Sequence, residues 1–450
     1  MSHALLDTTT PPNPVRGGSP DPPRRECLAM PRERTHVAGR ETRHAKQRRS
    51  LRGRSCPAVL LSLLLLASAA LAQNVVDDNL AGHKAEPITL KAEDVRALVA
   101  ETPDFAARAD SPEARRVAAK LDAHVAEFIA GFPWKAFHNT LGISGYEAYF
   151  SHPDEVFYAL SVALPSLKPE TAAAARKFLA EQLAKNPPYA ADGFDNAAGR
   201  PREAYDVPET LRVKGRGRAA DAFGAYAFWA YGRWSGDTAA ARSHGPAIRE
   251  RLAPLLAGPY SFDVNNTKYV NDEAERLNGN LAGLVGLARL ARLGGDADTA
   301  AKAEARALEL LTLRVNLERT NPNILEPTRS ATKSLHVAKL ARFCRLAPEV
   351  GRAADRLSDG AGRARLRAFR EARNAWYLAF AERMIGGENY VSPPHMGRAM
   401  MAGATFMDDL GGEQLLGFVD VPWCKGDLYF IEKCTYALWA AAGRPWVKVE

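Results

Sequence analysis

The chain is poor in the features that define several protein classes. It has 5 cysteines in 450 residues and no C-x-x-C pair, which excludes a disulfide-built scaffold and leaves no structural zinc signature. Cys27 and Cys56 fall in the first 72 residues; Cys344, Cys424 and Cys434 remain, room for one disulfide such as Cys424–Cys434. Strand-type alternation of apolar and polar residues is nearly missing, so sandwiches, barrels and dinucleotide-binding βαβ units are disfavoured. The apolar run Ala58–Ala72 has 15 residues, short of the ~20 that span a bilayer. The net charge of +8 is also less informative than it looks. Residues 1–72 hold 12 Lys+Arg against 5 Asp+Glu, leaving 48 against 47 in residues 73–450. A body without a basic surplus makes no case for nucleic acid as a partner.

The basic leader reads as an address. Arg48, Arg49, Arg52 and Arg54 precede Ala58–Ala72, which ends Ala70-Leu71-Ala72 before Gln73. A basic region, an apolar core and small residues at the −3 and −1 positions form a secretory signal over residues 48–72, cleaved to leave a mature chain from Gln73. The expectation is export to the periplasm or the extracellular space. Residues 1–47 are Pro- and Arg-rich, too long for an ordinary signal n-region, and read as a non-structural extension upstream of a later start, at Met30 or a non-ATG codon at Leu51.

What is abundant in the body is helical periodicity. Apolar spacing of three and four predicts helices over Pro112–Phe132, Glu170–Lys185, Asp221–Trp234, Asp272–Leu293, Thr299–Leu317, Ala361–Met384 and Asp427–Ala442. Two of them echo each other. Ala227–Asp237 and Gly286–Asp296 both run an apolar helix into Gly-Asp, placing glycine at the left-handed C-terminal position and aspartate where it can cap the next helix. Ala437–Gly443 reads as a truncated third copy. Asp237 and Asp296 lie 59 residues apart, so residues 73–450 accommodate about six units of a helical hairpin plus a loop. The expectation is a single all-α domain, an (α/α)6 toroid, with an open TPR-like solenoid as the alternative. Leu277-Asn278-Gly279-Asn280-Leu281-Ala282-Gly283-Leu284 and the helix that follows resemble a hairpin of the six-hairpin glycosidase and polysaccharide lyase superfamily, a likeness of packing that implies the toroid without selecting an activity.

The connections Phe132–Phe150, Asn186–Arg218, Gly258–Asn271, Thr320–Ser330, Gly387–His395 and Asp420–Asp427 read as loops, long for a compact domain and rich in aromatics. Trp134, Tyr146, Tyr205, Tyr390 and Trp423, with Asn139 and Asn265 nearby, suit a saccharide: aromatic faces stack on sugar C–H faces while amides take the hydroxyls. Each aromatic equally fits the plain role of pinning a loop to the helices. Arg216, within the basic stretch Arg212–Arg218, would attract an acidic glycan; a solvated basic loop is the simpler account of it. Gly215–Ala220 mimics a dinucleotide fingerprint but follows no strand.

The densest polar segment is Tyr260–Arg276, entering the chain's best helix, which Asn271 or Asp272 would cap. It is no calcium loop, because Lys268 and Ala274 stand where Gly and Glu are needed. Asn265-Asn266-Thr267-Lys268-Tyr269 resembles the Asn-Asn-His-x-Tyr segment of toroid-type alginate lyases. That resemblance implies Asn266 as the group neutralising a uronate carboxylate and Tyr269 as acid or base. Thr267 stands where the family has His, so His138 and His395 become the base candidates. The expected function is β-elimination on uronate-containing glycan, with no metal and no cofactor. Two other classes remain open. A glycoside hydrolase would pair Asp263 or Asp272 with one of Asp408, Asp409, Asp420 or Asp427; a non-catalytic glycan-binding or scaffold protein would use the aromatic loops alone.

Overall fold

The computed structural model describes residues 86–132, 137–142, 145–150, 153–190, 222–260, 270–320, 347–358, 412, 416 and 428–449. All lie in Pro57–Glu450, one of the two units into which the chain divides. In chain order the elements are α1 (Ala92–Ala100), β1 (Glu101–Pro103), α2 (Pro112–Ala130), β2 (Phe137–Gly142), β3 (Gly145–Phe150), α3 (Pro153–Ala163), a 3-10 turn (Leu164–Ser166), α4 (Pro169–Lys185), α5 (Phe223–Ser235), α6 (Thr238–Ser243), α7 (Gly245–Ala257), α8 (Val270–Leu293), α9 (Ala297–Thr320), α10 (Pro348–Leu357), α11 (Leu428–Ala441) and β4 (Trp446–Lys448). The described part is mostly helical, as the periodicity requires.

The helices fall into two kinds. In α3 every residue is buried, and in α5 every residue from Phe223 to Gly232. Residues 277–291 of α8 and 430–440 of α11 are likewise buried without a break. A helix that hides its whole circumference needs neighbours on all sides. These four stand in a row, α11 against α3, α3 against α5 and α5 against α8, while α2, α4, α7 and α9 pack outside them. The outer helices keep a polar face. In α2, for instance, Val117, Leu121, Val125 and Phe128 are buried at three- and four-residue spacing.

Tight turns join inner to outer helices. Gly236 ends α5 at φ +81°, and Asp237 then caps α6 by accepting the Ala240 N–H at 3.0 Å. Gly295 follows α8 at φ +74°, and Asp296 accepts the N–H (3.0 Å) and the hydroxyl (2.7 Å) of Thr299. The repeated Gly-Asp text thus does the same work twice. The α8–α9 hairpin is antiparallel, with Arg292 on Glu304 near its turn and Arg314 on Asn278 at its far end.

The inner helices approach closely because glycine lines the seam. A methyl group at Gly283 would strike Ala222, and one at Gly286 would lie 2.5 Å from the Tyr226 Cα. These pairings also show that α5 and α8 run in the same direction.

The two ends of the described chain meet. β1 pairs antiparallel with β4, Glu101 opposite Lys448 and Pro103 opposite Trp446. α11 packs on both α2 and α3, and Phe105, just after β1, packs its ring against Trp234, Tyr436 and Trp439.

One expectation is corrected. Phe132–Phe150 is not merely a loop, because β2 and β3 form a hairpin in which Phe137 pairs with Phe150 and Gly142 with Gly145. Aromatic residues on both arms and a glycine at each side of a two-residue connection favour that pairing. Helix α3 carries no amphipathic signature in the sequence for the reason given above: it is buried all round.

Gly286→Ala, forced against Tyr226, should cost ~1–3 kcal/mol, whereas Gly245→Ala, with nothing within 4 Å, should be neutral or slightly stabilising. Urea unfolding of the two variants checks this.

Candidate functional site

The asymmetry of the connections selects one end of the helical layer. The turns leaving α3, α5 and α8 are short. The stretches entering those helices, residues 131–152, 186–222 and 258–269, are long, and they carry most of the aromatic and amide residues singled out from the sequence. Because α5 and α8 are parallel, the chain enters both at the same end of the layer.

At that end the segment entering α8 is anchored on both sides. The Arg276 guanidinium lies over the Tyr260 ring, 5.1 Å from its centroid, so the points where residues 261–275 depart and return are brought together. Arg306 fixes the approach, donating from Nε to the Leu255 carbonyl at 2.8 Å and from Nη2 to the Gly258 carbonyl. Helix α8 begins at Val270. Asn271 and Asp272 therefore lie inside its first turn and do not occupy the cap position, which corrects the expectation for both; the helix extends further toward its N-terminus than capping by either would allow.

The remaining site residues are placed as follows. His138 and Asn139 lie in β2, opposite Tyr149 and Ala148, and Tyr146 lies in β3 opposite Leu141. Asp263, Asn265, Asn266, Tyr269, His395, Trp134, Tyr205, Arg216, Tyr390 and Trp423 lie outside the described residues, as do the second-carboxylate candidates Asp408, Asp409, Asp420 and Asp427. Cys434 is buried in α11, while Cys344 and Cys424 are outside the described residues. Among the described residues no group of His, Cys, Asp and Glu gathers as a metal site.

Three loop aromatics have described side chains, and all are pinned to helices; Phe132 packs against Phe128 and Phe178. Tyr260 carries Arg276. The Tyr189 hydroxyl sits 2.5 Å from His244 Nδ1, with its ring edge-on to Phe228 and His244. Burial pushes the Tyr189 phenol above its usual pKa.

Sequence reasoning missed a buried polar centre. The Glu349 carboxylate, at the start of α10, accepts from the Tyr226 hydroxyl of α5 at 2.8 Å and pairs with Arg289 of α8 at 2.9 Å. The two charged side chains are 1% and 0% exposed. Arg289 also donates to the carbonyls of Leu98, Val99 and Glu101, where α1 ends, and lies 4.1 Å from the Trp229 ring centroid. These are carbonyls that a helix leaves without intrahelical partners, at the end where its dipole favours a cation. Beside them the hydroxyls of Tyr158 (α3) and Tyr436 (α11) meet at 2.5 Å. Arg289, the lone charge within the apolar text Leu284–Ala291, was the available signal, since such a residue survives in a buried helix only with partners.

Burial pushes the phenols of Tyr158 and Tyr226 well above the ordinary range, and the Glu349 carboxylate pushes both further; Arg289 partly offsets this for Tyr226. Both are hydrogen-bonding phenols at neutral pH and poor candidates for a proton-abstracting base. The centre holds helices together rather than presenting groups to a substrate.

Comparison with family models, curated proteins and solved structures returns no match.

The raised phenols set a pH dependence. An unfolded chain releases these protons near pH ~10; the folded chain keeps them until higher pH, about 12 for Tyr231, which burial and its bond to Asp237 hold up. Their contribution is therefore fully present below pH ~10 and is lost as pH rises through the folded values. We expect phenolate absorbance from the buried tyrosines to appear together with loss of helical circular dichroism. Full titration of all 13 tyrosines with the helix signal intact would contradict this.

Proposed function

We propose that this chain is an exported carbohydrate-active enzyme whose helical hairpins close into an (α/α)6 ring, and that it cleaves uronate-containing glycan by β-elimination. The observation that carries the reading is the two-ended layer: parallel α5 and α8, buried without a break over Phe223–Gly232 and residues 277–291, tight Gly-Asp turns at one end, and long polar, aromatic stretches entering at the other. The pairing of β1 with β4 and the packing of α11 on α2 and α3 support closure, because they join the first described hairpin elements to the last. The contact of Arg276 with Tyr260 supports attention to this part of the chain, since these two residues flank in sequence the lyase-like Asn265–Tyr269 text.

In this reading Asn266 hydrogen-bonds the uronate carboxylate and so acidifies C5–H. A base, His138 or His395, takes that proton. The electron pair forms the C4–C5 double bond and expels the O4 leaving group, which Tyr269 protonates. The signal segment 48–72 is removed on export, so the mature protein begins at Gln73.

Incubation of the mature protein with acidic polysaccharides should generate the ultraviolet absorbance of a conjugated unsaturated uronate. Asn266→Ala and Tyr269→Phe should each lower kcat/KM by about 10²-fold or more. New reducing ends without that absorbance would instead identify a hydrolase acting through Asp263 or Asp272 and a second Asp. Glycan binding with no cleavage would identify a non-catalytic protein.

A further inference from the structure

A second polar feature is built from residues to which the catalytic reading gives no role. Between α10, the last turn of α1 and β4 there is a cleft of about 140 Å³, walled by Leu98, Glu101, Glu349, Arg352, Arg356 and Trp446. Its size can be judged by comparison: an engineered apolar cavity of ~150 Å³ admits a benzene molecule. The cleft therefore has room for one six-membered ring.

Its walls hold complementary chemistry. Arg352 and Arg356, one turn apart on α10, share a helix face. The Arg352 guanidinium lies over the Trp446 ring, its Cζ 4.5 Å from the centroid. A guanidinium held on a ring face by cation–π attraction keeps its N–H donors, and such a fork can grip a carboxylate with two bonds. Among the described residues each guanidinium has one ion-pair partner and no shorter hydrogen bond. Arg352 stands 3.7 Å from Glu101 and Arg356 3.9 Å from Asp94, outside hydrogen-bonding reach. Both arginine side chains are more than half exposed.

The carboxylates in the walls divide by role. Glu349 is already engaged by Arg289 and Tyr226, so its charge is answered inside the protein. Glu101 is half exposed and can accept hydroxyl protons. Leu98 and the indole of Trp446 supply apolar wall.

We infer that this cleft binds a single sugar acid, a pyranose ring bearing a carboxylate. The carboxylate sits on the Arg352–Arg356 pair, the ring against Leu98 and Trp446, and a hydroxyl on Glu101. The same forks would accept any small carboxylate or phosphate; the hydroxyl acceptor and the ring-sized space select the sugar acid. The site is independent of the catalytic reading, because it uses none of that reading's residues.

Calorimetric titration of the mature protein with galacturonate, galactose, benzoate and inorganic phosphate tests it. Galacturonate should bind saturably, and galactose about tenfold more weakly or worse, since it lacks the charge-assisted bonds. Arg352→Gln and Arg356→Gln should each weaken galacturonate about tenfold, with Arg356→Lys intermediate. Both arginines are exposed, so unfolding midpoints should stay at the wild-type value and certify the variants as folded. Benzoate or phosphate binding as tightly as galacturonate would overturn the sugar-acid assignment. No saturable galacturonate binding, or binding indifferent to both arginines, would overturn the site itself. Glycan cleavage by the wild type, present or absent, bears on the catalytic reading alone.

Discussion

One buried ion pair constrains most of the described structure. Glu349 and Arg289 are withdrawn from water, a loss that costs several kcal/mol per ion unless each finds full compensation. The compensation comes from many directions. Tyr226 brings α5, the carbonyls at the end of α1 bring the N-terminal region, and Trp229 adds its ring face. Each contributor must be in position for the pair to be tolerated, so assembly of these helices is coupled. β1 continues directly from α1 and pairs with β4, and the contact between the first and last described strands is thereby tied to the same centre.

The glycine seam and the ion pair act at the same level. Gly286 lets α8 approach Tyr226, and Arg289, one turn further along α8, reaches the carboxylate that the Tyr226 hydroxyl also holds. Close approach of parallel inner helices leaves their interior filled by side chains. Groups able to face a ligand are consequently left to the connections and to clefts on the flank of the layer, such as the one lined by Arg352 and Arg356. This is the ordinary division of labour between a rigid scaffold and the loops it carries.

Much of the helical framework was legible because amphipathic spacing and the Gly-Asp turns act locally. Predicted Glu170–Lys185, Asp221–Trp234 and Asp272–Leu293 agree with Pro169–Lys185, Phe223–Ser235 and Val270–Leu293 to within two residues at either end. The illegible parts have physical reasons. Helix α3 has no polar face to mark it, and β2–β3 is a short hairpin whose pairing depends on two nearby glycines rather than on a long alternating run. Helix α8 starts before the Asn271–Asp272 pair that looked like its cap. The Glu349 centre was invisible for a different reason: Arg289 and Glu349 are 60 residues apart in sequence, and only tertiary packing makes them partners. Of the candidate site, the anchoring of residues 261–275 by Tyr260 and Arg276 is the part the structure adds.

The most direct test of the central claim is a double-mutant cycle on Arg289 and Glu349 by urea unfolding. Removing either partner alone, as Arg289→Met or Glu349→Gln, strands the other and should cost about 3–5 kcal/mol. The double variant should lose less than the sum, with a coupling energy of about 1–3 kcal/mol. Additive losses, with coupling near zero, would show that the pair does not organise the helices around it.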